Sequence, residues 1–143
     1  ADGYGNKNKV QTLTAVYYAL IEEVDHWVGR ILKQLDKLDL TDNTLVIFTS
    51  DHGELLGAHA MQGKQNFLEE AVRVPLLMSF PGKISKNTKV DEPVGAIDVF
   101  ATIMDYLGAS KHDKGDGVSL RRYIERSSAN RAYGERIVVA EYD

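Results

Sequence analysis

The chain of 143 residues has no cysteine, which excludes disulfides, thiolate metal sites and cysteine nucleophiles within these residues. The same absence removes the usual clue to redox compartment. No apolar stretch approaches the ~20 residues of a membrane-spanning helix, and the opening ADGYGNKN lacks the charged-then-apolar order of a secretory signal. A large surplus of either charge is missing too. With 17 basic against 21 acidic residues, the net charge of -4 argues against a nucleic-acid footprint or an anionic membrane surface as partner. There is no long charge run, internal repeat or low-complexity segment. What remains is 43% hydrophobic and 27% charged, the composition of one globular domain. The start is polar and glycine-containing with no initiator Met, so we expect a piece of something longer.

The apolar residues at 13, 16, 17, 20, 21, 24, 27, 28, 31, 32, 35 and 38 keep the spacing of one helical face for about seven turns. Such a helix is roughly 40 Å long, enough to cross a full sheet. Turn formers follow at Asp39 to Asn43. Thr44 to Thr49 is then apolar on successive residues and rich in β-branching, which predicts a buried central strand. A helix followed by such a strand is the unit of an α/β fold, with a mostly parallel sheet sandwiched by helices. Residues 51–71 form a long connection. A second strand is expected over Val74 to Phe80, with Pro75 near its start and Pro81-Gly82 closing it. Ala96 to Leu107 reads as a helix presenting Ile97, Phe100, Ala101, Met104 and Leu107 on one face and capped by Gly108. A short helix within Ser119 to Glu125 and a strand over Arg136 to Ala140 complete the expectation.

In open α/β sheets, ligands bind beyond the carboxyl ends of the strands, and Asp51 and His52 stand there. A carboxylate oxygen and an imidazole nitrogen side by side can reach one divalent cation, while Gly53 lets the backbone turn away. Two ligands do not complete a metal shell, so others must come from elsewhere. Lys64, beside Gly63 in the same connection, can bring an ammonium to an anion near the metal. His59 is a candidate proton donor or anion contact. The same residues also suit a turn cap, an ordinary loop histidine and a solvated lysine.

The stretch Asp42-Asn43-Thr44-Leu45-Val46-Ile47-Phe48-Thr49-Ser50-Asp51-His52-Gly53-Glu54 carries a resemblance. It continues through Gly57-Ala58-His59, Gly63-Lys64, Glu69-Glu70 and Val72-Arg73-Val74-Pro75-Leu76. In order and spacing this resembles the second half of the sulfatase catalytic domain. Asp25-His26-Trp27-Val28-Gly29-Arg30-Ile31-Leu32 before it and Gly115-Asp116-Gly117-Val118-Ser119-Leu120 after it are similar as well. The likeness runs from about Tyr17 to Leu120, and Glu141-Tyr142 extends it. Asp-His-Gly at a strand end is shared across the alkaline-phosphatase-like superfamily; the later Gly-Lys, Glu-Glu and Arg-Val-Pro-Leu series resembles sulfatases in particular.

The resemblance implies that Asp51 and His52 ligate Ca2+, that Lys64 contacts the sulfate ester, and that His59 occupies a frequent family position without a fixed role. It also implies a formylglycine nucleophile made from Cys or Ser in a Cys/Ser-x-Pro-x-Arg motif. That motif is absent, since none of Pro75, Pro81 and Pro93 has Cys or Ser two residues before and Arg two after. We therefore expect residues 1–143 to be one partial domain ending where a C-terminal subdomain begins, inactive alone, from a sulfatase-type hydrolase of sulfate esters or sulfated glycans. Family resemblance implies an exported or lysosomal parent, and an exposed sheet edge implies self-association of the piece. Two other readings stay open: a phosphodiesterase, phosphonate monoester hydrolase or phosphotransferase of the same superfamily, and a noncatalytic structural or binding piece.

Overall fold

The computed structural model of the chain describes residues 6–110, 115–125 and 136–139. They group into two compact units, one running to Phe80 and the other beginning at Pro81.

The first unit opens with helix α1, Lys7–Lys37. Asn6 caps it, its side-chain oxygen accepting from the amides of Asn8 at 3.0 Å and Lys9 at 3.3 Å. That cap starts the helix six residues before Leu13, where the predicted apolar face begins. The apolar face is the one the spacing predicts, yet none of its residues is buried, with Val16 55%, Leu20 60% and Ile31 61% exposed. No described helix is long and apolar enough to cross a membrane.

After a 3-10 turn at Thr41–Asn43 comes strand β1, Val46–Thr49. The long connection carries a second 3-10 turn at Ala58–Ala60 and then the short helix α2, Glu69–Val72. Strand β2, Leu76–Ser79, follows Pro75 directly, so the missing proline amide never enters the ladder. β2 pairs antiparallel with β1, setting Ile47 against Met78 and Phe48 against Leu77. The two strands form the sheet present among the described residues. An antiparallel edge pair of this kind is common on otherwise parallel α/β sheets. Ile47, Leu76 and Met78 share the half-buried face, whereas Phe48 and Leu77 stand exposed together on the other. Of the segment 44–49, residues 46–49 form a strand with two apolar faces, as the composition predicts, but it is half-buried to exposed rather than a buried central strand.

The second unit contains helices α3, Ile97–Tyr106, and α4, Arg121–Ile124. α3 ends in a Schellman turn: Gly108, at φ +69°, donates to Asp105 at 3.0 Å, and Ala109 donates to Met104 at 2.8 Å. Its buried face differs from the expected one. Ile97, Phe100 and Leu107 are exposed, while Asp98, Ala101 and Thr102 are buried. Two polar side chains win that face because each is fully occupied. The Asp98 carboxylate accepts from the amides of Gly95 at 2.6 Å and Val118 at 2.8 Å, and from the Arg136 guanidinium. Thr102 donates to the Asp98 carbonyl at 2.6 Å and accepts from the Leu120 amide at 2.8 Å. Gly117 is required by the same packing, since a Cβ there would lie 2.3 Å from the Ile97 carbonyl oxygen. Residues 136–139 are irregular instead of a strand: the Arg136 side chain turns in to Asp98 and lies 5.7 Å from the Tyr123 ring, and no ladder partner is present among the described residues. Ala140 and Glu141-Tyr142 lie outside the described residues.

Burial alone would raise the Asp98 carboxyl, but Arg136 and the Val118 and Gly95 amides outweigh it and hold it below its ordinary value. A depressed folded-state value gives stability that is complete above the ordinary carboxylate range and is lost as pH falls through the depressed value. Urea unfolding of Asp98→Asn should therefore show a flatter acid limb than the unsubstituted chain. Asp98→Ala, which strands an Arg136 side chain only 13% exposed, should cost about 3–5 kcal/mol at neutral pH.

Candidate metal and anion site

The exit from β1 is stitched by its own polar groups. Ser50 Oγ donates to the His52 carbonyl at 2.8 Å, and the Asp51 carboxylate accepts the His52 amide at 3.0 Å. His52 Nδ1 lies 2.8 Å from the Gly53 carbonyl oxygen, which can only accept. Nδ1 therefore carries the proton, and Nε2 presents a lone pair. Asp51 Oδ2 stands 3.4 Å from that Nε2, and Lys64 Nζ donates to it. Three of the four sequence candidates, Asp51, His52 and Lys64, thus meet at one point. Desolvation opposes ionisation of Asp51, but the hydrogen bond from the His52 amide and the nearby Lys64 ammonium hold its carboxyl below the ordinary value. Asp51 is 82% exposed and His52 37%, so the cluster is open to a ligand.

The connection folds back through backbone contacts. Gly53 donates to the Ala71 carbonyl in α2 at 2.7 Å, and a Cβ at residue 53 would sit 1.9 Å from the Glu70 carbonyl oxygen. Only glycine permits that approach. Leu55, buried, donates to the Gly63 carbonyl at 3.0 Å, and Glu54 Oε1 accepts from the amides of Gly63 at 2.7 Å and Leu56 at 3.2 Å. Gly63 takes φ +86°, the left-handed region, with open space around its α-carbon. Leu56, His59 and Ala60 also hold positive φ, at 46°, 54° and 58°. Such strained non-glycine backbone persists where surrounding contacts enforce it. His59 goes to a different partner: its Nε2 lies 3.3 Å from the Glu70 carboxylate, and among the described residues no hydrogen bond or ion pair joins it to the other three. Glu54 and Glu70 were not singled out from sequence. Both stand in the quoted motif series, but only the folded loop reveals what they hold.

Asp51 Oδ2 and His52 Nε2 are spaced to share one cation, and their oxygen and imidazole chemistry suits a divalent ion. They fit as part of a shell. Among the described residues there is no cluster of three or more His, Asp or Glu that would hold a metal unaided. The Nε2 lone pair is single, so Lys64 and a cation are alternative partners for it.

The α/β chain matches solved structures of the alkaline-phosphatase-like class. One is a phosphonate monoester hydrolase from Silicibacter pomeroyi, 36% identical, aligned over 85% of this chain and 24% of that one with a TM-score of 0.74. A protein solved in complex with its substrate D-glucosamine-2-N,6-O-disulfate aligns over 73% of this chain and 21% of that one, at 32% identity and a TM-score of 0.63. Within that class the chain belongs to the sulfatase family, whose Sulfatase model matches residues 1–109. Arylsulfatase K of Mus musculus is 38% identical over 128 residues, 90% of this chain and 23% of that protein. The chain thus spans about a quarter of the length of the curated relatives it matches.

The two loop glycines separate steric from conformational need. Gly53→Ala should cost about 1–3 kcal/mol in thermal unfolding, because its Cβ meets fixed backbone. Gly63→Ala should cost about 1–2 kcal/mol from its positive φ alone.

Proposed function

We propose that this chain supplies one side of the active site of a sulfuric ester hydrolase. The observation that carries the reading is the meeting of Asp51, His52 and Lys64 on one strand exit in a chain of the sulfatase family. A sulfate monoester resists hydrolysis because a nucleophile must approach an anion and the leaving alkoxide is poor. In this reading the Asp51 carboxylate and His52 Nε2 hold a Ca2+ ion, which supplies charge withdrawal from the sulfuryl oxygens when bound. With a cation held at Nε2, the Lys64 ammonium would be free to donate to the ester and to neutralise charge building on the leaving oxygen. His59 remains a secondary catalytic candidate, its ring steadied by Glu70. Formylglycine finds no precursor among these residues, which lack cysteine and the proline motif, so the nucleophile is outside the chemistry derived from them. Sulfated sugars are the favoured substrate class, supported by the relative solved with a disulfated glucosamine. Family membership supports an exported or lysosomal setting.

A second reading, hydrolysis of phosphonate monoesters, is favoured by the likeness to the Silicibacter pomeroyi enzyme. The test is to assay the full-length protein against 4-nitrophenyl sulfate and 4-nitrophenyl phenylphosphonate, with calcium and after chelation. Faster, calcium-dependent cleavage of the sulfate is expected, and preference for the phosphonate would shift the assignment to the second reading. Asp51→Ala should remove most activity. Lys64→Ala should lower kcat by about 10²-fold or more while bound calcium stays unchanged. Full activity in either variant would contradict its role.

A further inference from the structure

We propose that Glu54 is the positioning residue for Lys64, an inference that rests on the reading of Lys64 as the group acting on the ester. Lys64 lies far along the connection from Asp51 and His52, and a lysine stem alone does not fix where its ammonium points. What fixes it here is the residue before it. Both backbone polar atoms of Gly63 are used: the amide goes to Glu54 Oε1 at 2.7 Å and the carbonyl takes the Leu55 amide at 3.0 Å. Glu54 and Leu55 belong to the same strand exit as Asp51 and His52, so the clamp ties the base of the lysine to its targets. On its far side, the Lys64 carbonyl accepts from the Asn66 amide at 2.8 Å and Asn66 Oδ1 caps Leu68 at 2.9 Å, which turns the chain away. Lys64 is thus held between a clamp and a turn with its ammonium on His52 Nε2.

The clamp uses one carboxylate oxygen as acceptor for two amides, since Leu56 also donates to Oε1 at 3.2 Å. A glutamine keeps that acceptor at the same reach. Aspartate, one methylene shorter, does not reach it, and alanine removes it. The charge of Glu54 is therefore dispensable in this role, whereas its length and acceptor are not. Freeing Gly63 would let Lys64 wander by an ångström or more, a misplacement that costs catalysis heavily without touching the metal ligands.

The experiment is a double-mutant cycle in the full-length protein with 4-nitrophenyl sulfate and slower aryl sulfates of higher leaving-group pKa. Glu54→Ala should lower kcat by about tenfold or more with bound calcium unchanged, and should steepen the dependence on leaving group as Lys64→Ala does. Added to Lys64→Ala, it should cost no more than about twofold further. Glu54→Gln should recover most of the turnover. Should Glu54→Ala fail to fold, Glu54→Asp is read in the same cycle. Wild-type kcat in Glu54→Ala, or fully additive losses beside a slow Lys64→Ala, would overturn the inference. An unimpaired Lys64→Ala would instead overturn the functional reading beneath it.

Discussion

The first unit depends on a single backbone approach: the Gly53 amide meets the Ala71 carbonyl at 2.7 Å, where no side chain would fit. That contact closes the long connection on itself and brings α2 against the strand exit. Once it is closed, Leu55 and Ala71 become buried, which gives the loop the small apolar anchor it needs to stay folded. At the turn of Gly57, where a Cβ would lie 3.0 Å from the Val10 side chain, the start of α1 lies against the same loop. In the closed loop Lys64 returns to His52 at the strand exit and Glu70 to His59. A lengthy connection of this sort costs little more entropy to close than a short one, so a few good contacts suffice.

Much of the candidate site's geometry is legible because its contacts are local. Asp51 and His52 are adjacent, and the run of β-branched residues before them marks a strand whose end presents them. Lys64 was legible from motif spacing. Its partner was not, since the hydrogen bond to His52 depends on loop closure over many residues, and no periodicity encodes that. Glu54 was illegible for a related reason. A loop glutamate followed by apolar residues looks solvated until the fold puts Gly63 opposite it.

In the elements themselves, the strongest periodicity gave the most secure result. α1 follows its apolar spacing closely, and the proline and glycine stops bound β2 and α3. The buried face of α3 shares Ala101 with the one hydrophobicity alone would choose but is otherwise polar. Asp98 and Thr102 are buried since their bonding capacity is met by amides and a guanidinium, a pairing that spans from residue 95 to residue 136 and leaves no trace in local pattern. Residues 136–139 stay irregular because, among the described residues, no strand offers them a ladder partner.

The apolar stripe of α1 contains the chain's single tryptophan, Trp27, which is 48% exposed. Its indole donates to Glu23 at 2.6 Å, the Arg30 guanidinium lies 4.4 Å over its ring, and His26 meets it edge-on. An indole half in water beside a cation and an imidazole emits at long wavelength and is readily quenched. The chain therefore carries its own optical gauge on this stripe: a blue shift and brightening of that one fluorophore would record, residue-specifically and without a label, when the helix face passes from solvent into an apolar contact.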